Sequence, residues 1–310
     1  MNSMEPAKTK KNTSKSFSTA FLSMVKRNIS GWLLLIIPVS LFVMIVWRPI
    51  VNGVLYSFFE LKGFTLEKFV GLRNYIDVLT DVNFTMVLKN TLKYVFWSVV
   101  IGMPLPVILA IILNEMVHGK NFFKFVLYLP CIIPGIAISL IWKMIYMDGP
   151  GGMLNMLLSY IGMEPVSWLS NGNIAIPLIV ISMIWQGLGG SVIMYFAALQ
   201  NANRELYEAA SLDGAGFFQK LWHITLPCIG GTILLLTIRN IIGIFQIVEQ
   251  PLAMTGGGPN GASMSLGLQN YFYAFKFGQY EKSVALGVVS FVMMLLLTLV
   301  YYRIDKKLED

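Results

Sequence analysis

The chain has 310 residues, 56% hydrophobic and only 13% charged, with a net charge of +7 and a mean hydropathy of +0.67. A soluble domain carries about 25% charged residues on its solvated surface, so the solvent for most of this chain is lipid. The basic residues gather at the ends and between apolar runs, not on an aromatic-interleaved surface, which points away from nucleic acid; Cys131 and Cys228 offer neither a disulfide framework nor metal-ligand spacing.

Residues 1–30 form a basic tail with Lys8, Lys10, Lys11, Lys15, Lys26 and Arg27. The apolar run that follows, Gly31 to Tyr56, is too long for the core of a secretory signal and reads as an uncleaved first span. Further windows long and apolar enough to cross a membrane lie at 91–113, 123–147, 174–198, 227–250 and 283–303. The expectation is an all-α polytopic membrane protein: six spans over 31–303, with 304–310 as a short C-terminal tail. Prolines 104, 106, 130, 134 and 177 lie inside or beside these windows, and spanning helices tolerate such breaks where neighbours satisfy the freed carbonyls.

With the N-terminus inside, the segments on that side hold 13 Lys and Arg and the segments on the other side hold 6. The positive-inside bias therefore predicts that both termini and the 199–226 loop are cytoplasmic. Ionisable residues within spans are functional candidates, because exposing one to lipid costs about 3 kcal/mol. Arg239 is the deepest and Glu249 lies further along the same stretch, whereas Arg48, Lys93 and Lys143 are near enough to span ends to snorkel. In the fourth span Trp185 and Gln186 precede a glycine-rich run. An aromatic plane beside an amide suits a sugar ring, and the glycines equally suit close helix packing.

The stretch YEAASLDGAGFFQKLWHITLP, residues 207–227, is unlike the spans on either side. Asn203 can cap a short helix, Glu205 and Glu208 favour its positive end, and Arg204 and Glu208 share a polar face. Gly214 and Gly216 break that helix, Gly214 in a left-handed conformation. A second amphipathic piece then places Phe217, Leu221 and Ile224 on one side before Pro227 opens the next span.

The residues Glu208-Ala209-Ala210, Asp213-Gly214-Ala215 and Ile224-x-Leu226-Pro227 resemble the EAA loop of permease subunits of bacterial ATP-binding-cassette importers. The segment MTGGGPNGAS, from Met254, is similar to the signature of the carbohydrate-uptake branch, the maltose and glycerol-phosphate type. Gly231 stands where family members often have a second proline. The resemblance implies a MetI-like permease fold in a bacterial inner membrane, forming half of a pathway for a carbohydrate. It implies a second permease subunit, a paralogue, together with two ATPase subunits and an extracytoplasmic solute-binding protein. ATP and magnesium would sit on the ATPase, and this chain would bind no cofactor or metal. The loop would dock on the ATPase, and a transient substrate site would include Trp185, Gln186, Arg239, Asn240, Gly243 and Gln246.

Nothing supports an enzyme: TGGGP lacks the Lys-Ser/Thr of a phosphate loop, and His118 and His223 are lone. A permease for another solute remains an alternative. So does an ion-coupled secondary transporter, which would call for intramembrane acids and an inverted repeat, neither of which is evident.

Overall fold

The structure, a computed structural model, describes residues 29–63 and 65–309, so most of the basic tail expected over residues 1–30 lies outside the described residues. Helix α1, Gly31–Tyr56, is long and apolar enough to span a membrane and contains a π-helical turn at Val43–Trp47. Its residues up to Leu55 form a unit by themselves. The second unit begins at Tyr56 with a hairpin, β1 Phe59–Lys62 and β2 Thr65–Phe69, that no periodicity announced. The strands are antiparallel, Phe59 facing Phe69 and Glu60 facing Lys68.

The other elements are α2 Arg73–Leu79, α3 Phe84–Glu115, α4 Lys120–Ile132, α5 Gly135–Ile145, α6 Met153–Tyr160 and α7 Ala175–Gln200. They continue with α8 Arg204–Leu212, α9 Phe217–Phe245, α10 Glu249–Thr255, α11 Leu266–Tyr271 and α12 Tyr280–Glu309. Among the described residues five helices, α1, α3, α7, α9 and α12, are long and apolar enough to cross a membrane.

The window expected to be the third span, 123–147, with Pro130 and Pro134 inside it, is two helices, α4 and α5, meeting at 96°. Pro134 is the cause: it cannot donate a helical hydrogen bond and it disfavours helical backbone at Ile133, which is extended at ψ 134°. The pair still carries the chain across. Lys120 lies with Glu115 and Gln200 at one end of the bundle, and Lys143 lies with Thr255 and Pro259 at the other. The first is the loop end of the bundle and the second its signature end.

Helix α7 is the hub, packing against α3, α4 and α9. Near the signature end the core joins Tyr94, Ile176, Ile179, Val180, Ile244 and Met254. Near the loop end it joins Ala110, Leu113, Val192, Tyr195, Leu199 and Ile229.

Two expectations about the fifth span are corrected. It ends at Phe245 rather than 250, and α10 is a separate helix. It also begins at Phe217, so Pro227 lies inside a continuous helix rather than at its start. A proline inside a helix removes an N–H and crowds the carbonyl four residues back. Here a π-helical turn, Leu221–Thr225, relieves the crowding, with the Leu226 N–H donating to the Leu221 carbonyl. Helix α12 runs through residues 304–309, which were expected to be a tail.

Candidate functional site: the loop end, a midplane cavity and the signature segment

Helix α8 is built as its sequence dictates. The Asn203 side chain accepts from the Glu205 N–H at 2.9 Å, a cap worth about 1 kcal/mol. At the other end Gly214 sits at φ +79°, which lets the Ala215 N–H reach the Ala210 carbonyl at 2.8 Å and the Gly214 N–H reach Ser211 at 3.2 Å. This pair of bonds is a Schellman cap, and it turns the chain sharply into α9. The Asp213 N–H donates to Ala209 at 3.0 Å. Ile224 lies in the π turn, Leu226 packs against the loop-end core, and Pro227 is exposed.

The helix has two faces. Arg204, Tyr207 and Glu208 line a cleft of about 590 Å³ with Asn114, Glu115, Lys120, Gln200 and Lys220. Leu206, Ala209 and Asp213 are exposed on the other side, and Leu212, four residues beyond Glu208, is exposed at the edge between the two. Arg204 and Glu208 do not form an ion pair: among the described residues, the pairs within 4.0 Å are Lys62–Glu67 and Arg73–Asp77.

A link that the sequence did not announce ties α8 to α9. The Tyr207 hydroxyl donates to Thr225 Oγ1 at 3.1 Å, and Thr225 in turn donates to the Lys220 carbonyl at 3.3 Å, a carbonyl at the edge of the π turn. These bonds fasten the short helix to the span at its π turn.

A small cavity of about 140 Å³ lies between α3, α7 and α9, lined by Ser98, Gly187, Ser191, Tyr195, Thr237 and Asn240 among others. The Asn240 amide donates to Ser98 Oγ at 3.1 Å. Of the six residues expected near substrate, Asn240 alone lines this cavity. Arg239, Asn240 and Gly243 share an exposed stripe of α9 that Gln246, its C-cap, extends, and no ion pair within 4.0 Å involves Arg239 among the described residues.

Trp185 and Gln186 face elsewhere, toward the bend between α4 and α5. Trp185 meets Trp142 edge-on at 5.8 Å, and Gln186 donates to the Ile133 carbonyl at 3.3 Å. Its own backbone carbonyl accepts from the Cys131 thiol at 2.9 Å. Gln186 and Gln250 approach Gly135, the first residue of α5, and the Glu249 carboxylate lies directly over it, where any Cβ would strike. At the far end of α5, Lys143 donates to the Ala253 carbonyl in the last turn of α10 at 3.3 Å. The parallel helices α5 and α10 therefore share a carboxylate at their positive ends and an ammonium at their negative ends. Glu249 thus has a structural place that its isolation in the sequence could not reveal.

The signature segment is held from α3. Asn90 donates to the Gly261 carbonyl at 2.8 Å and to Met264 at 3.2 Å, the Leu266 N–H donates to Thr91 Oγ1 at 2.9 Å, and the Tyr94 hydroxyl donates to the Ser263 carbonyl at 2.9 Å. Gly257 at φ +86° lies so close to Met264 that a Cβ would stand 2.5 Å from Met264 Cε. In the π-helical turn Phe272–Lys276 that continues α11, the Tyr273 hydroxyl donates to Asp81, two residues beyond α2, at 2.9 Å. Burial first, then the neighbouring carboxylate, pushes its pKa up to about 12. Replacing Asn90 by Leu leaves the Met264 carbonyl without its donor and the Gly261 carbonyl with the Met264 N–H alone, so the unfolding midpoint of the purified complex should fall, for a loss of about 2 kcal/mol. An unchanged midpoint would show that the segment is held by other means.

Among the described residues no group of three or more His, Cys, Asp or Glu side chains could hold a metal ion. The family model described as binding-protein-dependent transport system inner membrane component matches residues 102–310. The chain belongs to that family. Among curated relatives, the multiple sugar-binding transport system permease protein MsmF of Streptococcus mutans is 33% identical, over 90% of this chain and 96% of its own length. The trehalose/maltose transport system permease protein MalF of Thermococcus litoralis is 30% identical, over 90% and 95%. A chain from the crystal structure of a bacterial ABC transporter that imports the acidic polysaccharide alginate superposes with a TM-score of 0.83 at 23% identity. That match covers 93% of this chain and 99% of the other, so the two share a fold. The permease is thus a transport component and not an enzyme.

Proposed function

We propose that this permease forms one half of the membrane pathway of an ATP-driven importer for a carbohydrate, with its 203–227 loop docked on a cytoplasmic ATPase. The observation that carries the reading is the unpartnered apolar face of α8: Leu212 is 90% exposed and Leu206 55%, on a loop that stands beyond the ends of the spans. Such residues in water call for a partner surface. The sugar-transport relatives, 30% or more identical over nearly the whole chain, support carbohydrate as the cargo.

The remaining members of the assembly follow from the same reading: a second, paralogous permease, two ATPase subunits and an extracytoplasmic solute-binding protein. The positive-charge count supports cytoplasmic termini. The stripe Arg239, Asn240, Gly243 and Gln246 belongs on the pathway face. An arginine with no ion-pair partner among the described residues is costly against lipid and suits water or the facing subunit.

Leu212→Asp tests docking. Affinity purification on the variant should retain the second permease while weakening ATPase binding about thirtyfold, since a central apolar anchor carries about 2 kcal/mol or more. Full recovery of the ATPase, with wild-type uptake, would remove the loop from the interface.

A further inference from the structure

The cleft behind α8 has a chemistry that docking on the opposite face does not use. Three candidate spans end around it: α3 at Glu115, α7 at Gln200, and α9 where it begins at Phe217. It therefore opens at the level where hydrocarbon gives way to head groups. Lys120, Arg204 and Lys220 line it, outnumbering Glu115 and Glu208, and no ion pair within 4.0 Å joins these cations to those carboxylates among the described residues. Lys120 donates to the Asn114 carbonyl at 2.9 Å and Lys220 to Ser211 Oγ at 2.7 Å. Each ammonium is so held in place with donors to spare.

Large aromatic side chains stand at the same level. Phe217 lines the cleft, Phe122 is two residues beyond Lys120, and Phe218 and Trp222 flank Lys220 in the sequence; all four are exposed, Trp222 at 65%. Exposed aromatics beside lysines mark the membrane interface, and basic pockets between helix ends suit anionic lipid head groups. At about 590 Å³ the cleft falls within the size of pockets that hold small ligands, roughly 300–1,000 Å³.

We propose that this cleft binds the head group of an anionic phospholipid, a phosphatidylglycerol, of the leaflet it faces. Lys120, Arg204 and Lys220 receive the phosphate oxygens by charge-assisted hydrogen bonds. Glu115, Glu208, Asn114 and Gln200 accept hydrogen bonds from the glycerol hydroxyls. The two carboxylates that would repel a bare anion thus become the groups that favour a hydroxylated head group. The acyl chains leave past Phe217 and Trp222. A free phosphate has no use for either the aromatics or the carboxylates, and so fits the site less well.

The test uses the assembled permease–ATPase complex in nanodiscs of phosphatidylcholine with or without phosphatidylglycerol, with bound lipid read by native mass spectrometry. The wild-type complex should retain phosphatidylglycerol in preference to phosphatidylcholine. Lys120→Gln, Arg204→Gln and Lys220→Gln should each weaken that retention about fivefold. Ala202→Trp, which fills the cleft and removes no cation, should weaken it likewise if the glutamine variants fail to assemble. The proposal is overturned if wild type retains the two lipids equally, if the variants retain phosphatidylglycerol as wild type does, or if millimolar inorganic phosphate displaces the lipid. None of these readouts depends on whether α8 docks on the ATPase, because retention is scored per permease.

Discussion

Gly214→Val should leave the permease inserted and paired with its partner yet unable to transport. The reason is backbone and not space: nothing lies within 4 Å of a Cβ at Gly214, but its φ is +79°. A β-branched residue held in that region is strained by about 1–3 kcal/mol. Relief means abandoning the bonds from Ala215 to Ala210 and from Gly214 to Ser211, which together set the angle between α8 and α9. Once the angle changes, the Tyr207–Thr225 hydrogen bond is lost and the short helix no longer moves with the span. Gly214→Asn separates this account from simple crowding, since asparagine enters the left-handed region readily. ATP-driven uptake into proteoliposomes should be near wild type for Asn and absent for Val. Wild-type uptake by the valine variant would mean that the turn is dispensable.

The outlines of this loop were legible because its determinants are local. Asn203 caps the residues that follow it, and Gly214 sits where a helix must turn left-handed. Pro227 misled for a related reason: a proline where polar sequence meets apolar reads as the first turn of a helix. A π turn instead absorbs it within a helix that started ten residues earlier. Pro130 and Pro134 marked a break in the third window, but its angle was hidden because hydropathy stays high through Pro134 and composition alone describes one span. What fills the bend, Glu249 over Gly135, is a contact between residues far apart in the chain, and no local pattern predicts it.

The substrate residues were the least legible. An apolar helix with scattered amides gives no indication of which face meets α3 and which stays open. Sequence placed Trp185 beside Asn240 in function, whereas the fold turns Trp185 to Trp142 and Asn240 to Ser98.

The glycine run of α7 shows the same limit and yields the largest structural effect. Gly187, Gly189 and Gly190 are alike in sequence, and all three would permit helices to approach closely. A Cβ on Gly187 or Gly190 meets nothing within 4 Å. On Gly189 it would collide with the Leu127 carbonyl group and stand 2.6 Å from Tyr128 Cα, all backbone of α4. Backbone atoms cannot rotate away, so Gly189→Val must push α4 off α7, opening a gap along a well-packed seam at about 3 kcal/mol or more. Because α7 also packs on α3 and α9, the displacement spreads to the core around Val192 and Tyr195. Expressed in the membrane, Gly189→Val should yield little monodisperse protein and a chain open to protease, whereas Gly187→Ala and Gly190→Ala should match wild type in both measures. Equal behaviour of all three variants would mean that α4 does not rest against α7 at this glycine.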